Sequence, residues 1–186
     1  AQNLNSIGTE TPTILDPSYF KTAFNTLQSL IKKGFIQAGH DIGSGGLITS
    51  LLEMCFPSSS IGMTLDFSCF KEDDLVKILF SEKSAVLLQS QEDLSSHFKQ
   101  QGITVCKIGE FNTSDVLKIN ELELNINQMR MSWMATSKAL EKHQTTLNLA
   151  EKRAENIVNQ PLNFEFPKGF EGTLPPPKKG RIKAAV

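Results

Sequence analysis

The sequence is poor in the features that mark a special compartment or a charged partner. It holds three cysteines, Cys55, Cys69 and Cys106. They are odd in number and widely spaced, which fits neither a zinc site nor a disulfide framework and suits a reducing cytoplasm. Cys55 and Cys106 stand among apolar residues and read as small core hydrophobes. Neither sign of charge dominates: 19 Lys and Arg face 20 Asp and Glu, for a net charge of −1. That removes the electrostatic case for nucleic acid or an anionic membrane surface. No apolar run reaches the roughly 18 residues a membrane span needs, and no basic segment leads into an apolar one at the N-terminus. Neither a membrane span nor a signal peptide is expected, and no internal repeat is visible. At 186 residues the chain can bury a sizeable core and fits one domain plus an appendage. Its polar beginning and basic end read as a piece of something longer.

What is present centres on residues Gly39 to Leu52. Phe35, Ile36, Gln37 and Ala38 read as a strand that runs to His40. Leu47, Ile48, Leu51, Leu52 and Cys55 recur at the spacing of an amphipathic helix. Between them sit Asp41, Ser44 and the glycines Gly43, Gly45 and Gly46. A strand, a glycine-rich turn and a helix N-terminus make an anion site, because first-turn N–H groups lack intrahelical partners and the helix dipole favours negative charge. Ser44 is the natural N-cap. The glycines let a backbone approach a bulky anion such as phosphate, and Asp41 offers a hard oxygen that could hold Mg2+ against it. The plainer alternative is a strand-to-helix turn with Asp41 as a solvated cap. His40 reads as an orienting, hydrogen-bonded histidine at the end of a buried strand, with a base or phosphate contact as its alternative. Glu82 is a candidate site acid or a solvated loop acid. Glu53, inside the helix, is expected to be exposed or salt-bridged. His97 and His143 are expected at the surface.

The remaining elements follow in order. Asp16 and Pro17 start a helix, Phe20, Ala23, Phe24, Leu27 and Ile31 mark its apolar face, and Gly34 ends it. Residues 61–67 form a strand, 71–81 contain a short helix, and 85–89 form a buried strand. Ser90 with Asp93 resembles a capping box for a helix to Gln100. Residues 103–108 form the next strand. Val116 to Ile119 and Leu122 to Leu124 make a hairpin about Asn120 and Glu121. This order predicts an α+β fold, a mixed sheet with helices packed against it, over residues 1–126. Residues 127–160 contain no glycine or proline. Trp133, Leu140, Leu147 and Ala154 recur seven apart there. This is one long helix, about 45 Å if its roughly 30 residues are continuous, or two helices broken near Thr145 and Thr146. Trp133 is expected in core or interdomain packing. Residues 161–186, with Phe164, Phe166 and Phe170, then Pro175, Pro176 and Pro177, then Lys178, Lys179, Arg181 and Lys183, read as a linker.

The motif His-Asp-x-x-x-Gly-Gly-Leu at 40–47, followed by Leu-Leu-Glu-Met at 51–54, resembles the last synthetase subdomain of the phosphoribosylformylglycinamidine synthases. So do Leu79 to Glu82, then Trp133, Thr136, Ser137 and Leu140, then Gln144, Ala150, Arg153 and Asn156, and finally Phe166, Pro167 and Phe170. The usual signature is His-Asp-x-Ser-Asp-Gly-Gly-Leu; here Gly43 and Ser44 replace its Ser and Asp. The resemblance implies the C-terminal-domain fold of aminoimidazole ribonucleotide synthetase. It implies a purine-biosynthetic amidotransferase that uses ATP and Mg2+, with Asp41 as the metal ligand and Gly43, Ser44, Gly45 and Gly46 at the nucleotide. Gly43, where the family has a serine, offers only its backbone. The implied partners are small-molecule substrates, upstream synthetase domains and a downstream glutaminase domain of the same polypeptide. No cysteine here sits as a glutaminase nucleophile would, and the chain is expected to be inactive alone. Two alternatives remain: a thiamine monophosphate kinase or selenophosphate synthetase relative, and a non-catalytic packing domain.

Overall fold

The computed structural model describes residues 14–146, 148–159 and 168–169. The elements are α1 (Pro17–Lys32), β1 (Ile36–Asp41), α2 (Gly46–Cys55), β2 (Gly62–Leu65), α3 (Leu75–Leu79), β3 (Val86–Ser90), α4 (Ser95–Gln100), β4 (Gly109–Asn112), β5 (Val116–Ile119), β6 (Leu122–Asn125), α5 (Ile126–Glu141) and α6 (Leu149–Asn156). A short 3-10 turn, Ile157–Asn159, follows. The fold is α+β, as the element order predicts. Its strands divide into two sheets. One is the antiparallel pair β1–β3; the other runs β4-β2-β5-β6. In the second, β2 lies antiparallel to β4 and parallel to β5, and β5 is antiparallel to β6. No described helix is long and apolar enough to cross a membrane.

Local chemistry explains several boundaries. The Asp16 carboxylate accepts hydrogen bonds from the Ser18 and Tyr19 N–H groups at 2.9 and 3.0 Å, and Pro17 opens α1. Gly34, at φ +76°, ends it in the left-handed conformation that glycine adopts without penalty. Asn120 turns the β5–β6 hairpin at φ +53°. The main core joins Leu47, Leu51 and Cys55 of α2 to Met63 and Leu65 of β2, Leu117 and Ile119 of β5, and Ile126 of α5. A smaller cluster joins Leu30 to Leu94, Phe98 and Ile103.

Other expectations are corrected. No strand covers residues 103–108; it starts at Gly109, because β2 offers only four residues and these pair with Gly109 to Asn112. Ile103 goes instead to the smaller core. Ser90 and Asp93 make no capping box. Leu94 is the N-cap of a six-residue helix, and Asp93 accepts from the Ser95 N–H at 2.8 Å; hydrogen bonding from the Ser95 side chain first, and then from this N–H, holds its carboxyl below the usual range. Strands β1 and β3 are not buried, since each has only the other as neighbour. The apolar face of α1 is likewise uncovered: Phe20 and Phe24 are half exposed, while Leu30 is the residue buried. Cys106 is not a core residue. It is half-buried and disulfide-bonded to Cys69, with 6.2 Å between Cα atoms. The β2–β4 pairing, extended by Asp66 N–H to Ile108 C=O at 2.8 Å, brings these flanking segments together.

The C-terminal region is two helices. The first ends at Glu141 and the second starts at Leu149, just after Asn148 at φ +57°. Helix α6 folds back along α5, held by Arg153 Nε donating to Glu141 at 2.6 Å. Helix α5 buries Ile126, Arg130 and Met134, so the buried stripe is not the one through Trp133 and Leu140. Leu147, and the expected linker apart from Lys168 and Gly169, lie outside the described residues.

One packing contact sets where α2 begins. Gly46 has φ +75°, and a Cβ built on it would lie 2.6 Å from the Phe80 carbonyl carbon and 2.8 Å from the Leu79 carbonyl oxygen. Both are backbone atoms, so no rotamer change relieves the overlap. Around Gly43 a Cβ would meet nothing within 4 Å. In denaturant unfolding, Gly46→Ala should therefore lose on the order of 3 kcal/mol, combining left-handed strain with backbone overlap. Gly43→Ala should stay within about 1 kcal/mol of the parent. Equal effects at the two positions would contradict this assignment.

Candidate functional site

Strand β1 delivers His40 and Asp41 to the turn that enters α2. Pairing with β3 sets Asp41 opposite Val86, and Ile42 N–H continues the ladder to Ala85 C=O at 2.9 Å. The chain then tightens, with Gly46 N–H donating to Gly43 C=O at 3.1 Å. The N-cap is Gly45, in the left-handed conformation at φ +89°, with no side-chain cap. Ser44 is thus not the N-cap; it stands exposed one residue earlier. The capping group comes from far along the chain. Gly45 N–H donates to Glu82 Oε1 at 2.9 Å. Glu82 is brought there by the close approach of Gly46 to Leu79 and Phe80. The second of the family-like segments thereby lies against the first, and a carboxylate occupies the favourable end of the helix dipole. Gly46 is buried, while Gly43, Ser44 and Gly45 are exposed.

Asp41 presents its carboxylate to solvent: the side chain is 89 % exposed. Its backbone is held firmly by contrast. The Asp41 carbonyl accepts from His40 Nδ1–H at 2.6 Å and from the Ser50 hydroxyl at 3.1 Å. His40 is half-buried, not enclosed, because β1 has an open face. Its other nitrogen, Nε2, lies 3.0 Å from Glu53 Oε2. Glu53 is thus paired with His40, a salt bridge when the ring is protonated, in keeping with the exposed or salt-bridged position expected for it. Its Oε1 accepts from Trp133 Nε1–H at 2.9 Å. This last contact spans 80 residues, and no spacing rule announces it. Trp133 also packs on Phe56, with ring centroids 5.5 Å apart. His97 and His143 are exposed and remote in sequence from this group.

Among the described residues, no three of His, Cys, Asp and Glu come together as a metal site. A single exposed carboxylate nevertheless fits Mg2+, which keeps several waters and takes one or two carboxylates plus phosphate oxygens. At this turn Asp41 is the exposed carboxylate that could hold such an ion. Beside Asp41 runs an open groove of about 430 Å³, lined by Leu27 and Ile31 of α1, Ala38 and His40 of β1, and Val86 and Leu88 of β3. Cys55, on the inner face of α2, is buried, and burial pushes its thiol up to about 11 against the lowering pull of Arg130. Such a thiol is inert as a nucleophile at neutral pH.

Residues 3–120 match the family described as AIR synthase related protein, C-terminal domain. The chain is 31 % identical over 166 residues to a probable phosphoribosylformylglycinamidine synthase, chloroplastic/mitochondrial, of Arabidopsis thaliana; the match covers 84 % of this chain and 12 % of that protein. It is 28 % identical over 156 residues to the phosphoribosylformylglycinamidine synthase of Homo sapiens, covering 77 % and 12 % of the two chains. The chain thus spans about an eighth of the length of these relatives. Among solved structures it is similar to Thermotoga maritima PurL complexed with FGAR, with a TM-score of 0.51 and 15 % identity over 62 % of this chain and 21 % of that one. For T. maritima PurL complexed with ATP the TM-score is 0.51, at 16 % identity over 61 % and 22 %. At such identity the likeness shows the fold. Because the family match runs over most of the sequence, from ahead of α1 through the β5 strand, the chain belongs to the AIR synthase related proteins and carries their C-terminal domain.

Proposed function

We propose that this chain is one domain of a phosphoribosylformylglycinamidine synthase and supplies one wall of its magnesium–nucleotide site. The observation that carries the reading is Asp41: a carboxylate 89 % exposed, on a backbone tied down by two hydrogen bonds, at the mouth of a groove. The shared name of the relatives supplies the reaction class, and their greater length supports upstream synthetase domains and a downstream glutaminase domain as partners in the same polypeptide. The family reaction activates the amide oxygen of formylglycinamide ribonucleotide with ATP and replaces it with ammonia. Phosphoryl chemistry of this kind asks mainly for positioning and charge neutralisation.

In this reading Asp41 holds Mg2+, whose charge, when bound, offsets that of the phosphates. The apolar groove receives the uncharged part of the nucleotide. Glu82 takes the Gly45 N–H, which turns a phosphate away from that donor and toward the exposed Gly43–Ser44 segment and the Ser44 hydroxyl. His40 and Ser50 keep the Asp41 peptide in place while charge accumulates beside it. A second reading, a packing domain without ligand, is favoured by one observation: a carboxylate of the chain itself already satisfies the helix end.

Asp41→Asn separates the two. If Asp41 holds the metal, titration calorimetry of Mg-ATP into the full-length synthase should show affinity falling tenfold or more, which is about 1.4 kcal/mol. The melting transition should change by no more than about 1 kcal/mol, as for most exposed substitutions. Affinity that is unchanged by the substitution, or absent from the parent as well, would favour the packing domain. The 186-residue chain by itself is expected to turn over no formylglycinamide ribonucleotide, even with ammonia replacing glutamine. Turnover would overturn the one-wall reading.

A further inference from the structure

We infer that Glu53 is the positioning residue of this site: it orients the His40 ring, and through that ring the Asp41 peptide from which the carboxylate projects, while Trp133 of α5 holds Glu53 itself. The inference rests on the proposed ligand-facing role of Asp41 and extends it inward from the surface to two further elements.

The geometry forms a chain of contacts that runs from the half-exposed Trp133 to the Asp41 backbone carbonyl. Each oxygen of the Glu53 carboxylate has its own partner, Oε1 the Trp133 indole N–H at 2.9 Å and Oε2 the His40 Nε2 at 3.0 Å. Two partners in different directions define the plane of the carboxylate, where one would leave it free to rotate. The His40 ring has a partner at each nitrogen: Nδ1–H donates to the Asp41 carbonyl at 2.6 Å, and Nε2, when it too carries a proton, donates to Glu53. A ring flip would exchange nitrogens for carbons and break both contacts. The carbonyl that receives Nδ1–H also receives the hydroxyl of Ser50, a buried α2 residue, at 3.1 Å. With its peptide plane so determined, Asp41 keeps freedom only in its own side chain.

Three separate elements meet in this relay. His40 and Asp41 end β1, Ser50 and Glu53 stand on α2, and Trp133 comes from α5. An ordinary surface ion pair needs none of this convergence, and an exposed pair alone stabilises little. Here Glu53 is three-quarters buried at its side chain, His40 about two-thirds, and the indole is braced on Phe56. The arrangement is suited to fixing the backbone from which a single-carboxylate metal ligand projects, as support behind a ligand does.

The test compares Glu53→Ala with Glu53→Gln, using ring-nitrogen NMR, tryptophan fluorescence and Mg-ATP affinity. In Glu53→Gln the new side-chain amide can accept from the indole through its oxygen and donate to Nε2 through its nitrogen, leaving Nδ1–H on the Asp41 carbonyl. Glu53→Ala should lose the protected His40 ring N–H signal to solvent exchange, while His97 and His143, both exposed, serve as unchanged internal controls. Trp133 is the one tryptophan of the chain, so its emission reports the loss of its partner without ambiguity. Glu53→Gln should retain the Nδ1–H signal. In the full-length synthase, Mg-ATP affinity should fall about tenfold in the alanine variant and stay near the parent value in the glutamine variant. A His40 signal unaltered by Glu53→Ala overturns the assignment. So does a glutamine variant as impaired as the alanine one, because geometry was then not what Glu53 supplied. Failure of the parent to bind Mg-ATP, with the His40 response as expected, overturns the nucleotide reading and supports the positioning one.

Discussion

The approach of Gly46 to the backbone of Leu79 and Phe80 is the contact on which the rest of this structure depends. A glycine there removes the Cβ that would otherwise lie 2.6 Å from a carbonyl carbon. Helix α2 can then begin directly against the end of α3, and Glu82 follows two residues later to accept the Gly45 N–H. Once α2 is seated this way its faces are determined. Leu47, Leu51 and Cys55 enter the main core, and Ser50 and Glu53 turn toward the end of β1. Gly46 thus serves a protein backbone at close range. Two segments that look like separate motifs in the sequence form one junction.

The seat of α5 is the second requirement. Its N-terminus is capped by Asn125, whose side chain accepts from the Gln128 N–H at 3.0 Å, immediately after β6. Arg130 then carries a guanidinium into the interior, 4 % exposed, with no carboxylate opposite it among the described residues. Its Nη atoms donate to the Asn127 side chain and to the Ser58 carbonyl at 2.9 and 2.6 Å, and its head lies over the Phe56 ring. Nε has no hydrogen-bond partner. Burying such a charge is costly unless most of its donors are met, and two hydrogen bonds with a cation–π contact offset much of that. The result ties the segment after α2 to α5. It also brings Trp133 within reach of Glu53, so the same helix that closes the core completes the support of His40.

The narrow β1–β3 ribbon explains why one side of the molecule stays open. A two-stranded sheet cannot cover both of its faces, and α1 meets it along only part of its length. Phe20, Phe24 and Ile31 therefore remain half exposed, although their spacing marks them as a buried face. The same openness leaves His40 half-buried and Asp41 in solvent. The groove beside them arises from an incompletely covered ribbon.

Much of this was legible in the order of residues, because it depends on neighbours. Asp16 and Pro17 start α1, Gly34 stops it, and Asn120 turns a hairpin, since capping and left-handed backbone are properties of a few adjacent residues. The α2 periodicity and the alternation of strands with helices likewise predict an α+β fold with Asp41 at a strand-to-helix turn. Pairing and long-range satisfaction were not legible in this way. The strand expected at 103–108 moved to Gly109 because a ladder extends only as far as its partner β2. Ser44 is not the cap because α2 starts one residue later, at a left-handed Gly45 whose N–H is taken by Glu82, 37 residues away. Cys69 met Cys106 through a sheet register, and Glu53 met Trp133 through the seating of α5. The sequence by itself determined the features set by adjacent residues, such as the Asp16 cap and Gly34 stop of α1, the Asn120 turn and the place of Asp41 between a strand and a helix. Only the tertiary structure decided what each glycine is close to and which groups hold that acid in place, because those contacts join residues that only the packing of separate elements brings together.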